Sequence, residues 1–235
     1  MLGPSEYRQV PVVDAWDESP QLRAVRVALP PDLERTHEWP GQVVKVRTTA
    51  GEGFFALATA PREDGREELL VKRGHPVSDA VVARAAPEAL LELTTPFGKG
   101  FPVEEAMGHD VLLFAAGSGI GPIRAIVQQV LARRDDFTRV TLFYGQRRGA
   151  DFAYRREHLL WERAGVRVVL CPSGEDDAWM GVRGRVQSVA RTLAFGGASL
   201  EDAVAYVCGM TAMVDDVRRT LARAGLPPER IHVNF

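Results

Sequence analysis

Cysteine is scarce in this chain: Cys171 and Cys208 are the only two among 235 residues. They are too few for a disulfide framework, and too few for the set of thiolates that an ordinary iron–sulfur cluster takes. A reducing, cytoplasmic setting is the expectation. Charge of one sign is missing as well, because 29 basic and 31 acidic residues intermingle to a formal net charge of −2. That leaves no basic stripe for nucleic acid and no polybasic block for a membrane surface. No apolar run reaches the length of a membrane span, and the stretch from Met1 to Tyr7 lacks the charged and apolar regions of a secretory leader. The histidines, His37, His75, His109, His158 and His232, show no metal-ligand spacing, so no metal site is expected. The length allows one large domain or two small ones, with a small molecule or another protein as partner.

Turn residues divide the first part of the chain into short apolar runs at 10–13, 22–29, 42–47, 54–59, 68–72 and 90–93, which predict six strands of an antiparallel barrel. In Val44-Lys45-Val46-Arg47 apolar and charged residues alternate, as a sheet with one wet face requires. Between the last two runs, 78–85 predicts a short helix capped by Ser78. Past residue 108 the pattern changes to strands at 111–116, 140–144, 166–170, 204–208 and 231–233 with helices between them, the alternation of a parallel sheet. Val186, Val189, Ala190, Leu193 and Ala194 share a helical face, as do Met213, Val214, Val217, Leu221 and Ala224, and both stripes read as core. The change of pattern falls in Thr95-Pro96-Phe97-Gly98-Lys99-Gly100-Phe101-Pro102, dense in glycine and proline. The fold expected is β-barrel plus α/β: an antiparallel six-stranded flavin-type barrel over 1–103, then a Rossmann-like parallel-sheet nucleotide-binding domain over 104–235.

Val111-Leu112-Leu113-Phe114-Ala115-Ala116 runs into Gly117-Ser118-Gly119-Ile120-Gly121-Pro122 and then into apolar residues at helical spacing, Ile123, Ile126, Val127, Val130 and Leu131. A buried strand, a glycine turn and a helix N-terminus together let backbone N–H groups approach a phosphate. The third glycine stands closer to the second than in the usual dinucleotide fingerprint. A tight structural turn with Pro122 at the first helical position is the alternative. Other enzymes are disfavoured. Ser118 in Ala116-Gly117-Ser118-Gly119-Ile120 lacks the spacing of a hydrolase nucleophile. Gly98-Lys99 is followed by glycine and makes no kinase-type phosphate loop. Tyr144-Gly145 ends the second strand without the acid that a methyltransferase would want.

In an open parallel sheet, ligands bind beyond the carboxyl ends of the strands. There this chain has the glycine loop, Tyr144-Gly145-Gln146-Arg147-Arg148 with Asp151, Cys171-Pro172-Ser173-Gly174, and Cys208-Gly209-Met210-Thr211. The first, second and fourth of these, with Met213, resemble the pyrophosphate loop, the second-strand element and the Cys-Gly-Pro element of the ferredoxin-NADP reductase family. Pro40-Gly41-Gln42 and Pro96-Phe97-Gly98 are similar to that family's barrel signposts, so the resemblance covers nearly the whole chain in order. Asp176-Asp177-Ala178-Trp179-Met180-Gly181 and the terminal Asn234-Phe235 resemble a plastid reductase-like branch found in plants.

The resemblance implies hydride transfer from NADH or NADPH to FAD, then electron delivery to an acceptor such as a redox protein. It places Gly117, Ser118, Gly119, Ile120, Gly121, Pro122, Gly145, Gly209, Met210 and Met213 at the nicotinamide nucleotide, Cys208 near the nicotinamide, and Phe235 against the flavin ring. The family's flavin motif, Arg-x-Tyr-Ser, is replaced here by Gly53-Phe54-Phe55-Ala56, followed by Leu57-Ala58-Thr59. Phe55, Ala56, Leu57 and Thr59 would then hold the flavin without the arginine fork that usually grips its phosphate. Lys72, Arg73 and a helix start at Ser78 are the substitutes. Arg147 and Arg148 suit a 2′-phosphate, whereas Asp151 suits a free 2′-hydroxyl and tips the expectation to NADH. A chain that kept the nucleotide loop and lost the flavin would instead be a non-catalytic nucleotide-binding sensor or partner subunit.

Overall fold

The first strand serves two neighbours. The computed structural model describes residues 6–62 and 64–234. In chain order it begins with β1 (Arg8–Ser19), β2 (Leu22–Ala28), the short α1 (Pro31–Glu34), β3 (Val43–Thr48), β4 (Gly51–Ala56), β5 (Arg66–Lys72), α2 (Pro76–Arg84) and β6 (Leu90–Leu93). Residues 8–11 of β1 pair with β6, and residues 12–19 pair with β2 across a register shift between Val12 and Asp14. Such an irregularity lets one strand bend from one partner to the next. The six strands are antiparallel in the order β4-β3-β6-β1-β2-β5. Leu57 bridges to Leu69, and the Ala58 N–H donates to the Glu68 carbonyl at 2.7 Å, so the two edges meet and the sheet closes. Closure removes the exposed edges that would otherwise invite pairing with another chain. Alternate residues such as Val10, Val12, Val25, Val27, Val44 and Val46 fill the interior.

Three expectations shift here, each for a local reason. β1 extends to Ser19 rather than ending near residue 13, because its pairing with β2 continues as far as Ser19 opposite Leu22, with Asp17 accepting from Arg23 at 2.9 Å on β2. β4 ends at Ala56 instead of 59: the Leu57 N–H donates to the Gln42 carbonyl and the next residue crosses to β5, the crossing that closes the barrel. α2 begins at Pro76, where a residue without an N–H fits the first helical position. His75 is therefore the cap and Ser78 lies within the first turn.

The second half contains β7 (Val111–Ala116), α3 (Ile120–Ala132), β8 (Val140–Gln146), α4 (Arg155–Arg163), β9 (Val166–Pro172), α5 (Val186–Thr192), β10 (Val204–Cys208), α6 (Thr211–Arg223) and β11 (Ile231–Val233). These strands form a parallel sheet in the order β11-β10-β7-β8-β9. Alternate residues of β7 face opposite layers. Leu113 and Ala115 pack with Ile123, Ile126 and Val127 of α3, in a cluster that also takes in Leu22, Ala24, Ala58 and Leu70 of the barrel. Leu112 and Phe114 pack with Val189 of α5 and Val217 and Leu221 of α6. Pro122 is the third residue of α3 rather than its first, since a turn of 3-10 helix over Gly117–Gly119 precedes it. α5 stops at Thr192, short of the predicted stripe, because Ala194 and Phe195 turn left-handed at φ 46° and 52°.

Candidate functional site

Strand order reverses at β7: the chain moves outward through β8 and β9, then returns to place β10 on the other side. Such a switch point leaves a crevice at the carboxyl ends of the strands. A cavity of about 910 Å³ opens there, between the sheet and the barrel. Phe54, Phe55, Ala56, Lys72 and Ser78 line it from the barrel, and Gly117, Ser118, Gly119, Pro122, Cys208, Gly209, Met210 and Met213 line it from the sheet. It continues past Lys72, Gly117, Gln146 and Arg147 into an outer cavity of about 1270 Å³ that adds Arg148, Asp151, Glu175 and Arg183.

The glycines of the loop have separate tasks. At Gly117, φ is +59° and a Cβ would meet nothing within 4 Å, so this is the position where backbone is open to a ligand. A Cβ at Gly119 would fall 2.4 Å from the Cys208 carbonyl oxygen, so this glycine lets the loop lie directly against the end of β10. A Cβ at Gly121 would lie 3.2 Å from that of Ala58, so this glycine seats α3 on the barrel, while Ile120 is core. Gly145 and Gly209 are close-packing glycines too, against Val186 and Met213. The Tyr144 hydroxyl accepts from Gln146 Nε2 at 2.7 Å and lies 3.3 Å from the Gly117 carbonyl, bracing the loop from β8. Met213, which lines the inner cavity, is also part of the core with Val217 and Leu221.

Several sequence-predicted residues point elsewhere. Leu57 is buried in the barrel core, and the Thr59 hydroxyl donates to the buried Glu67 carboxylate, so neither reaches the cleft. Both follow the strand crossing that closes the barrel. Arg73 is held by Asp17 at 2.7 Å and by the Pro20 carbonyl at 3.2 Å. Lys72, by contrast, makes no ion pair among the described residues and lines both cavities. Asp151 is only 7% exposed, and its Oδ2 accepts from the Arg148 N–H at 3.1 Å. Asp151 also pairs with Arg148 Nε at 3.7 Å and still lines the outer cavity, so its carboxylate and the Arg148 charge stand side by side there. Phe235 lies outside the described residues.

Cys208 sits on the cavity wall with its thiol pushed up to about 12 by burial, and burial does the same to Cys171. Both are therefore neutral thiols near neutral pH, not nucleophiles. Sequence reasoning missed Gln187, the second residue of α5. Its Nε2 donates to Asp216 at 3.1 Å, which leaves Oε1 buried on the cavity wall with no partner among the described residues. An orphaned acceptor of this kind fits a ligand carrying an N–H or O–H. The signal was available only as a polar residue among the apolar spacing of 186–193.

The lining fits a flavin: the ring of Phe55 can stack, and Lys72 with the N-terminus of α2 supplies positive charge for a phosphate. Among the described residues no cluster of three or more metal-ligating side chains occurs, and no helix is long and apolar enough to cross a membrane.

Residues 113–219 match the family model described as the oxidoreductase NAD-binding domain. The chain is 29% identical over 212 residues to sulfhydrogenase 1 subunit gamma of Pyrococcus furiosus, covering 87% of this chain and 71% of that one. It is 28% identical over 226 residues to the ferredoxin reductase component of 3-ketosteroid-9-alpha-monooxygenase from Rhodococcus rhodochrous, covering 92% and 61%. The chain thus spans less than two thirds of that reductase component's length. A ferredoxin NADP+ reductase from Neisseria gonorrhoeae has the same fold, with a TM-score of 0.81 at 18% identity over 97% of this chain and 98% of that one. Motifs, topology and relatives point one way: residues 113–219 match an oxidoreductase NAD-binding domain, and the chain as a whole is similar in sequence to ferredoxin reductase components and in fold to a ferredoxin NADP+ reductase.

Proposed function

We propose that this chain takes hydride from a nicotinamide nucleotide to FAD in the cleft and hands the electrons to a separate redox protein. One observation carries the reading: a single continuous cleft brings Phe55, Ala56 and Lys72 of the barrel face to face with Gly117–Gly119 and Cys208 of the sheet. Residues 1–103 serve the flavin and residues 104–235 the nucleotide. The flavin, when bound, supplies the two-electron to one-electron chemistry that no side chain offers.

The protein's own residues bind, orient and exclude water. Phe55 gives an aromatic face, and Lys72 replaces the family's phosphate-gripping arginine as a point charge. Gly117 opens backbone to the pyrophosphate, with Ser118 beside it. Cys208, a small neutral thiol, fills space beside the nicotinamide without offering a base, and Gln187 Oε1 accepts from the nucleotide. At the outer end Arg147 and Arg148 are exposed on the cavity wall, and Asp151 is engaged by the Arg148 N–H at 3.1 Å and by Arg148 Nε at 3.7 Å; its charge is thereby offset and Arg147 is left to meet a 2′-phosphate, so the reading is NADPH.

Relatives with the words reductase component in their names serve oxygenase systems, which supports a protein acceptor here. The test is steady-state reduction of ferricyanide by NADPH and by NADH, with FAD supplied to the purified chain. Turnover with kcat/KM higher for NADPH is expected. No turnover with either donor would overturn the oxidoreductase reading, and a preference for NADH would overturn the assignment of the arginine pair.

A further inference from the structure

The loop 173–184, between β9 and α5, carries the Asp-Asp-Ala-Trp-Met-Gly motif that the chemistry described so far does not use. It is closed at its base by the Gly184 N–H, which donates to the Pro172 carbonyl at 2.9 Å. The Ser173 and Gly174 N–H groups donate to the Gln146 and Arg147 carbonyls at 2.9 and 2.8 Å, fastening the loop to the end of β8. Within the loop, Trp179 Nε1 donates to the Val182 carbonyl at 3.0 Å, and Arg183 Nη2 donates to the Trp179 carbonyl at 2.9 Å. Arg183 also bonds the Asp176 carbonyl, so its charge staples the loop.

What this closed loop grips is the turn at 147–151. The Asp176 carboxylate accepts from the Gly149 N–H at 2.7 Å. The Trp179 ring lies 5.6 Å from Phe152 and covers Gly149 so closely that a Cβ there would fall 2.7 Å from Trp179 Cε3. A Cβ at Gly181 would fall 2.9 Å from the indole nitrogen, so glycines flank the ring in the turn and in the loop. Met180, next to it, is 96% exposed, so the tip is held by Trp179 rather than by its own burial. The turn under this grip carries the arginines that line the outer cavity.

We infer that Asp176 and Trp179 are positioning residues that set nucleotide affinity by holding the 147–151 turn with Arg147 and Arg148 facing the outer cavity. The inference rests on reading that cavity as the nucleotide's outer subsite. Neither residue touches the inner cavity where hydride would move, so their loss acts on affinity and leaves the transfer step alone.

The experiment is titration calorimetry of NADP+ against the full chain supplied with FAD. Trp179→Ala and Asp176→Ala should each weaken binding by about tenfold, and Trp179→Phe, which keeps a flat ring over Gly149, should stay within about threefold of the parent. Flavin reduction at saturating NADPH should be unchanged in Trp179→Ala, which separates an effect on affinity from a general loss of structure. Combined with Arg147→Ala plus Arg148→Ala, Trp179→Ala should add little, because it acts through those arginines. Binding within about twofold of the parent in both Trp179→Ala and Asp176→Ala, or simple additivity with the arginine variants, would overturn the positioning role. If the arginine variants themselves bind NADP+ as the parent does, it is the reading of the outer cavity that fails.

Discussion

Arg124, on the helix behind the glycine loop, donates from Nη1 to the Ala58 carbonyl at 2.7 Å. The bond ties α3 to the segment that follows Phe55 and Ala56, so both walls of the cleft share one anchor. Its Nε reaches Glu157 at 2.8 Å, and its guanidinium lies 4.6 Å over the Tyr154 ring and 3.6 Å from Glu68. The Tyr154 hydroxyl in turn donates to Glu68 at 2.8 Å, and burial holds the Glu68 carboxyl above its usual range.

Arg124→Met should therefore do more than lose one bond. It leaves Glu157, Glu68 and the Ala58 carbonyl short of a partner, and removing one side of a buried ion pair costs about 3–5 kcal/mol. Urea unfolding at neutral pH should show a loss of that order, with Arg124→Lys recovering part of it. A loss under about 1 kcal/mol would contradict the shared anchor.

His158, on the buried face of α4, gives a pH dependence with a definite sign. Burial lowers its folded pKa from 6.5 to about 4. As pH falls through 6.5 the unfolded chain takes up a proton that the folded chain refuses until about 4, so stability is lost across that window. Urea midpoints measured from pH 7 down to about 4.5 should fall more steeply for the parent than for His158→Gln. Parallel falls would show that other groups set the acid limb.

The loop glycines predict a split. Gly119→Ala places a methyl against the Cys208 carbonyl and should lower both thermal stability and NADP+ affinity. Gly117→Ala meets open space and suffers only its left-handed φ, about 1 kcal/mol, so its main effect should be on affinity. Melting temperature and NADP+ titration of the two variants check this. A larger stability loss in Gly117→Ala than in Gly119→Ala would reverse the assignment.

Restoring the family's flavin arginine should fail. A Cβ at Gly53 would lie 3.1 Å from Val77 Cγ1 and 3.2 Å from Phe55 Cε2, so Gly53→Arg must push on the ring that faces the cleft. FAD affinity, read by flavin fluorescence, should fall in Gly53→Arg and hold or rise in Ala56→Ser. Tighter binding in Gly53→Arg would show that the packing gives way.

The elements best read from sequence are β6, β7, β10 and β11, whose predicted limits match those observed. They are short apolar runs closed off by glycine, proline or a polar turn, and burial leaves such a run few other conformations. Leu57 and Thr59 were less legible because alternation says that a side chain faces inward without saying whether that means the cleft or the barrel core. Asp151 and Arg73 are related cases. A charged residue at a strand end can meet a ligand or a neighbour, and only the fold shows that Asp151 meets the Arg148 backbone and Arg73 meets Asp17. Gly119 and Gly121 are glycines for reasons of packing with Cys208 and Ala58, which are distant in sequence and so invisible to motif spacing.

The most direct test of the central claim is the visible absorption spectrum of the purified chain supplied with FAD, recorded before and after anaerobic addition of NADPH. A protein-bound flavin spectrum that bleaches on addition is the predicted result. A chain that stays colourless after FAD is added and removed by gel filtration, or a bound flavin that neither NADPH nor NADH bleaches, would contradict it.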